Sequence, residues 1–187
     1  MKHAYTIEHL LAGCKKGDRQ AQKALYESYA TKMMAVCMRY AHSTFEAEDM
    51  LQNGFVRIFS KMATFEGAGS FEGWMRRIMV NTAIEIYRKN QRSVQTVDID
   101  TVYDQGDFTI DMAQLEAKDL MKLVQQLPAG YQMVFNLYAI EGYSHAEIAK
   151  QLDISEGASK SQLSRARTWL KEKIKMMEGG LYERYTR

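Results

Sequence analysis

Proline, cysteine and long apolar runs are scarce in this chain of 187 residues, and each scarcity excludes a class of protein. A single proline, Pro128, and few clusters of β-branched residues favour helices over strands. The two cysteines, Cys14 and Cys37, are isolated and belong to no CxxC or Cys/His pattern. We therefore expect neither a disulfide framework nor a structural zinc site.

No run of about 18 apolar residues is present, so the sequence predicts no membrane-spanning helix and no direct membrane insertion. The first residues, 1–8, lack the apolar core of a secretory signal. Together with the unpaired cysteines, these features favour a reduced, cytoplasmic protein.

Residues that usually carry catalysis or bind metals do not cluster along the chain. None of the four histidines stands at ligand spacing from a cysteine or an acid: His3, His9, His42 and His145. The glycine-rich run 65–70 follows no predicted strand and precedes no Lys-Ser/Thr pair, so it does not match a phosphate-binding loop. We expect a protein that is not an enzyme and that uses no cofactor, metal or small-molecule substrate.

The charge of the chain is unevenly distributed. The formal net charge is only +2, but residues 98–119 hold seven acids and one base, a local charge of −6. The rest of the chain therefore carries +8. This is a basic protein with an acidic insert.

Hydrophobic periodicity in the first half predicts helices that begin at capping residues. Asp18 precedes a helix with an apolar face of Leu25, Tyr29, Met33, Val36 and Tyr40. Ser43 and Glu46 form the start of a second helix, which runs through Met62. Ser70 is predicted to cap a third that ends near Asn90.

Periodicity fails between about 91 and 110 and returns over 112–127. Pro128 ends that helix, and another runs over 129–141 to Gly142. The pattern predicts an all-α fold of two small helical domains joined by a flexible acidic linker.

Residues 144–167 predict a helix-turn-helix at the end of the second domain. Ser144 and Glu147 form a capping box, and Ser155 is placed to cap the second helix. Apolar positions recur on the inner side at Ile148, Ala149, Leu152, Leu163, Ala166, Leu170 and Ile174. The opposite side carries the short polar and cationic residues that a DNA major groove accepts: Lys160, Ser161, Ser164, Arg165 and Arg167. The alternative is an ordinary helical bundle with a solvated basic surface.

Three motifs, at 47–59, 65–81 and 144–167, occur in the order and spacing of the sigma-70 family of bacterial transcription initiation factors. The chain resembles the small extracytoplasmic-function (ECF) group, which keeps only the family's second and fourth conserved regions. The similar stretches cover about 18–90 and 127–174. The resemblance implies region 2 at 1–92, a linker at 93–111 and region 4 at 112–187.

By this resemblance, the helix at 47–59 docks on the coiled coil of the polymerase β′ subunit. The matching positions are Asp49, Gln52, Asn53, Phe55 and Phe59. Asn53 stands where an acid is common in the group, and for the two phenylalanines the alternative is burial in the core. Gly54 lies in the middle of this helix, which we explain by close approach of another backbone.

The next helix and the loop before it correspond to the part of the family that opens the −10 promoter element. The resemblance implies that Asn81 hydrogen-bonds a flipped base of the non-template strand and that the loop from Phe65 to Phe71 forms the pocket wall. Trp74 is expected in the core. Residues 71–92 have a local charge of +3, and the phosphate contacts are assigned to Arg76, Arg77, Arg88 and Lys89.

In region 4, the resemblance assigns contacts with bases of the −35 element to Lys160, Ser161, Ser164 and Arg165, and a phosphate contact to Arg167. Gln162 stands at a position that is usually basic, where it either contacts adenine or lies on the flank of the helix. Ser159 occupies a place that is usually apolar.

The implied partners are core RNA polymerase, through its β′ coiled coil and β flap, promoter DNA and an anti-sigma factor. In the family, the linker threads towards the active centre, where its acids would imitate RNA; a solvated tether is the alternative. Two other functions stay open. One is a helix-turn-helix transcriptional regulator that binds duplex DNA independently of polymerase, and the other is a helical adaptor that binds protein alone.

Overall fold

The computed structural model describes residues 6–93 and 117–185, and every regular element within these ranges is helical. The all-α fold that the sequence predicts is therefore confirmed. The chain divides into two compact units, Met1–Ile86 and Tyr87–Arg187. The predicted linker lies outside the described residues except for position 93, and the predicted domain boundaries stay predictions.

Four helices make up the first part of the fold: α1 (Ile7–Lys15), α2 (Arg19–Cys37), α3 (Thr44–Ser60) and α4 (Phe71–Ser93), with a 3₁₀ turn at Met62–Thr64. Helix α2 packs against both α1 and α3, and α1 also contacts the 3₁₀ turn. Their facing apolar stripes form a core whose fully buried members include Leu25, Met33, Ile58, Met75 and Met79.

The second part contains α5 (Ala117–Gln125), α6 (Ala129–Phe135), a π-helical turn (Asn136–Ile140), α7 (His145–Leu152) and α8 (Glu156–Tyr185). Helix α8 packs against α5, α6 and α7, so it is the central element of this unit. Its core includes Leu127, Leu137, Ile148 and Leu170, all almost completely buried.

The polar residues predicted at the helix starts act as caps. Asp18 accepts a hydrogen bond from the Gln20 amide at 2.8 Å, and Ser70 accepts one from the Gly73 amide at 3.0 Å. Ser43 accepts from the amide of Glu46 at 3.1 Å. Each cap supplies an acceptor to a helix-start amide that has no partner within the helix.

Several boundaries differ from the prediction. Helix α1 was not among the predicted helices. It begins where the Thr6 hydroxyl accepts a hydrogen bond from the His9 amide at 3.4 Å, and it buries Leu10 and Cys14. The predicted helix at 129–141 winds as a π-helix over its last residues, before Gly142 ends it at φ 78°. Residues 112–116 of another predicted helix lie outside the described ranges. Tyr40 lies beyond the end of α2, although it is buried as expected.

Candidate functional site

The helix-turn-helix consists of α7, a tight turn and α8. Its leading helix begins at a complete capping box, in which the Glu147 amide donates to Ser144 Oγ and the Ser144 amide donates to Glu147 Oε2 at 2.8 Å. These hydrogen bonds from Ser144 lower the pKa of the Glu147 carboxyl. The predicted capping box is therefore confirmed.

The turn between the two helices depends on one residue with a left-handed backbone. Asp153 has φ 59° and ψ 47°, a conformation that aspartate tolerates better than most side chains. The Ile154 amide then donates back to the Ala149 carbonyl at 3.1 Å, and the Ser155 hydroxyl accepts from the Ala158 amide at 3.0 Å. This short connection fixes where α8 begins.

The residues of α8 that are predicted to contact DNA differ in their exposure to solvent. Its predicted inner stripe is buried at Leu163, Ala166 and Leu170, whereas Ile174, the fourth predicted member, is half-buried. Lys160 and Ser161 are exposed, whereas the remaining residues predicted to contact the −35 element are half-buried: Gln162, Ser164, Arg165 and Arg167. Among the residues predicted to contact the −35 element, the two in the second turn of α8 are therefore the most accessible to a ligand.

Two positions of α8 depart from a simple outer face. Among the residues that the structure describes, the buried carboxamide oxygen of Gln162 has no hydrogen-bond partner. It faces Gly130 of α6, where a Cβ would lie 3.2 Å from it. This placement favours the flank of the helix over a contact with adenine. Ser159 is completely buried, and its hydroxyl lies 2.9 Å from Nδ1 of His145.

An aromatic cluster supports the loop before α4. The rings of Phe65, Phe71 and Trp74 lie 5.1–5.6 Å apart, and Tyr29 of α2 meets Phe71 edge-on at 5.9 Å. Phe65 and Phe71 are buried, and Trp74 is half-buried. The two phenylalanine rings are therefore part of the core, and the exposed part of the loop is 66–70.

The exposed loop at 66–70 is held from both sides. Gly67 and Gly69 have φ values of 83° and 86°, which explains the glycine-rich sequence. The ammonium of Lys15, at the end of α1, donates to the Phe65 carbonyl at 3.0 Å. Lys32 of α2 forms an ion pair with Glu72 of α4 at 2.6 Å. The role of Lys15 is not visible in the sequence, because no local pattern connects residues 50 positions apart.

Helix α4 carries a polar face that follows this loop. Arg77, Asn81 and Arg88 recur at intervals of four and seven residues, so they share one side of the helix. Asn81, Arg77 and Lys89 are exposed, and Arg76 and Arg88 are half-buried. The predicted base-binding amide and its neighbouring cations are thus accessible along one helix.

Helix α3 presents a separate exposed stripe. Phe45, Asp49, Gln52 and Val56 are all exposed at helical spacing, and the Phe45 ring is 79% accessible. Asp49 is held by Asn53, whose Nδ2 donates to the Asp49 carboxylate at 3.1 Å. No local pattern singles out Phe45 or Val56, because single apolar residues on a surface are common.

Phe55, which the sequence assigned to polymerase docking, points the other way. It is 3% exposed, and its ring centroid lies 4.7 Å from that of Tyr26 and 5.9 Å from that of Phe59. Its place in the structure favours the core, the alternative that the sequence left open. Phe59 is half-buried at the edge of the same cluster.

The two cysteine thiols are buried, and no metal-binding cluster is found among the described residues. Cys14 and Cys37 are buried free thiols, and burial raises the pKa of Cys37 to about 12, so its reactive thiolate does not form at neutral pH. Within 6–93 and 117–185, no three His, Cys, Asp or Glu residues are placed to share a metal ion. No helix in those ranges combines the length and hydropathy needed to cross a membrane.

Within the described residues, an all-helical fold with a capped helix-turn-helix and an exposed lysine in the second turn of α8, Lys160, is typical of DNA-binding proteins. Comparison with known families makes the assignment sharper. Residues 25–93 match the family described as Sigma-70 region 2, and residues 117–170 match Sigma-70, region 4. The two matches cover well over half of the chain. The protein belongs to the sigma-70 family and is an RNA polymerase sigma factor of the ECF group.

Individual relatives agree along nearly the full length. The chain is 26% identical over 186 residues to the ECF RNA polymerase sigma-E factor of Escherichia coli, covering 93% of this chain and 97% of that one. It is 25% identical over 172 residues to the RNA polymerase sigma-H factor of Pseudomonas aeruginosa, covering 86% and 89%. Among solved structures, it is similar to the sigma factor RpoE of Bartonella quintana, which was crystallised with the anti-sigma factor NepR. The TM-score is 0.49, with 24% identity over 82% of this chain and 96% of that one.

The region 2 match decides between the functions that the sequence left open. A polymerase-independent regulator or a protein-only adaptor with this helix-turn-helix would not require region 2 over 25–93. Both alternatives are therefore set aside.

Proposed function

We propose that this sigma factor uses three separate surfaces, two to bind promoter DNA and one to bind polymerase. The outer face of α8 binds the −35 duplex, the 66–70 loop with α4 captures the opened −10 strand, and the exposed stripe of α3 docks on polymerase. The observation that carries this proposal is that α3, α4 and α8 each combine a buried core stripe with exposed residues elsewhere on the helix, such as Gln52, Asn81 and Lys160.

Charge and side-chain chemistry support the α8 assignment. Lys160 and Ser161 are exposed in the second turn of α8, near the N-terminal end that a helix in the major groove presents to base edges. Arg165 lies one turn or more further along the same helix. Lysine and arginine donate to guanine, and serine hydroxyls contact either bases or phosphates.

The α4 surface suits an unpaired strand. The exposed Asn81 amide offers both a donor and an acceptor to the edge of an extruded base. Arg77 and Arg88 on the same side supply cations that a phosphate backbone requires. The stacked aromatic cluster under the loop holds this surface in a fixed shape.

Polymerase supplies all of the phosphoryl-transfer chemistry in this proposal, and the sigma factor acts as a dissociable, non-catalytic subunit. We place it in the cytoplasm, because its polymerase and its promoter DNA are there. A regulating anti-sigma factor, as the resemblance implies, is a further proposed partner.

The direct test is transcription in vitro with purified core polymerase, with and without this chain, followed by mapping of the start sites. We expect specific transcripts only when the chain is present. Asn81→Ala should lower strand opening but retain binding of the closed duplex, whereas Arg165→Ala should weaken −35 binding and leave polymerase binding intact. Absence of specific transcripts would overturn the proposal, and loss of polymerase binding by Arg165→Ala would overturn the assignment of the α8 face.

A further inference from the structure

A polar pair, a buried Ser159 and a half-buried His145, joins the two helices of the helix-turn-helix. Ser159 lies in the first turn of α8 with no exposed surface, at a place where an apolar residue is usual in the family. A buried hydroxyl without a partner is destabilising, so a serine here requires one. Nδ1 of His145, the first residue of α7, lies 2.9 Å from Ser159 Oγ and supplies that partner.

The imidazole of His145 also makes a second set of contacts. Its ring stacks on Tyr138 of the π-helical turn, with centroids 4.6 Å apart and planes at 22°. The guanidinium of Arg167 lies over the same tyrosine ring, 5.8 Å from its centroid. One histidine thus connects the start of α8 with the π-helical turn and, through Tyr138, with a residue two turns further along α8.

We propose that His145 and Ser159 are a positioning pair that sets the rotation of α8 against α7, and with it the direction in which Lys160 faces the −35 duplex. The proposal rests on the proposed function of the α8 face. Lys160 follows Ser159 directly, so a rotation of α8 about its axis that breaks the hydrogen bond moves the Lys160 side chain sideways across the groove. Tyr138 contacts both His145 and Arg167, so the position of Arg167 depends on the same packing of α8.

The electrostatics keep this pair uncharged. Burial, followed by the nearby charges of Lys160 and Arg167, lowers the pKa of His145, and only Glu156 acts in the opposite direction. At neutral pH the ring is therefore neutral, with one nitrogen that donates and one that accepts. A neutral ring joins Ser159 without adding charge between the two helices.

The test is a double-mutant cycle in the full chain bound to core polymerase. His145→Phe keeps a stacking ring but loses Nδ1, Ser159→Ala removes the hydroxyl, and the third protein carries both changes. The readout is −35 selectivity, the ratio of affinities for a promoter mapped in the transcription experiment and for the same promoter with a scrambled −35 element. Since the lost interaction is a single hydrogen bond, we expect each single change to lower selectivity about three- to tenfold, and the double change to lower it no further than the larger single effect.

A conservative variant separates the hydrogen bond from the stacking. His145→Asn keeps a polar atom near the position of Nδ1 and loses the ring, so it should preserve more selectivity than His145→Phe. The opposite ranking would overturn the proposal, as would additive effects of His145→Phe and Ser159→Ala or selectivity within about twofold of the unchanged protein in all of these variants.

Val134→Ala is the matched control for stability. Val134 of α6 is completely buried, so truncation lowers the stability of the second unit without changing the pair. We expect it to retain −35 selectivity; an equal loss in this control would mean that the pair acts through stability alone. If the unchanged protein itself shows no −35 selectivity, the proposed function of α8 fails. If the unchanged protein and the variants of His145 and Ser159 all show −35 selectivity, only the positioning proposal fails.

Discussion

Gly54 of α3 and Met79 of α4 touch where the two helices leave no room for a methyl group. A Cβ on Gly54 would contact the Met79 sulfur and would lie 2.8 Å from its Cε. The same sulfur lies 3.9 Å from the buried thiol of Cys37 on α2. The sequence predicted a close approach of another backbone at Gly54; the approach is real, but the neighbour is a side chain.

Gly54→Ala should therefore destabilise the first unit despite the better helix propensity of alanine. Overpacking costs about 1–3 kcal/mol, against a gain of about 1 kcal/mol in propensity, so we expect a net loss of up to about 2 kcal/mol. Urea denaturation followed by Trp74 fluorescence, in a Trp169→Phe background, measures it. In a Met79→Ala background the space is free, and Gly54→Ala should then be neutral or stabilising. The same loss in both backgrounds would contradict this explanation.

Lys15 is expected to affect promoter opening through the 66–70 loop. Lys15→Met removes the hydrogen bond to the Phe65 carbonyl and frees the loop, so strand opening should fall about three- to tenfold, as for the loss of one hydrogen bond. Permanganate reactivity of unpaired thymines at the −10 element measures opening. Lys16→Met, at the exposed neighbouring position, is the control and should behave as the unchanged protein. Weaker polymerase binding by Lys15→Met would contradict this explanation and would indicate that Lys15 contributes to polymerase binding instead.

The exposed stripe of α3 should determine the affinity for core polymerase. Asp49→Ala combined with Val56→Ala removes a charge and an apolar contact from this stripe, and we expect binding to weaken about tenfold or more with no loss of folding. Glu27→Ala on α2, whose side chain is 64% exposed, is the control. Fluorescence anisotropy of the labelled sigma factor reports the affinity, and an unchanged value would place the docking surface elsewhere.

Phe55→Ala should behave differently from the stripe variants. Because its ring is buried against Tyr26, truncation should lower the free energy of unfolding by about 3–5 kcal/mol. Thermal unfolding measures this loss directly. A fully stable Phe55→Ala protein with weak polymerase binding would restore the docking role that the sequence assigned.

The second unit should lose stability as the pH falls below the ordinary His145 pKa of 6.5. In the unfolded chain His145 binds a proton at that pH. In the folded chain, burial and the cations of Lys160 and Arg167 lower the pKa of His145, so its protonation requires a lower pH. Protons therefore favour unfolding, and stability rises as the pH increases through 6.5. Urea midpoints from Trp169 fluorescence in a Trp74→Phe background measure the effect. His145→Phe should flatten this part of the curve; an equal slope without the histidine would assign it to other groups.

The sequence by itself predicted most of the local structure. N-caps such as Asp18, Ser70 and Ser155 bond amides two or three residues away, so their effect is visible in a short window of sequence. The inner stripe of α8 likewise follows from helical spacing alone. Together with the order of three motifs, these local signals were sufficient for the all-α fold and for the sigma-70 family.

Only the tertiary structure determined the contacts between residues that are distant in the sequence. The direction of Phe55, the bond from Lys15 to the Phe65 carbonyl and the partner of Ser159 each depend on how whole helices pack. Periodicity states that a residue is apolar and on which side of its own helix it lies, but not which helix covers that side. Ser159 shows the difference: in the sequence it was a departure from an apolar position, and the fold places His145, 14 residues away, where its buried hydroxyl needs a partner.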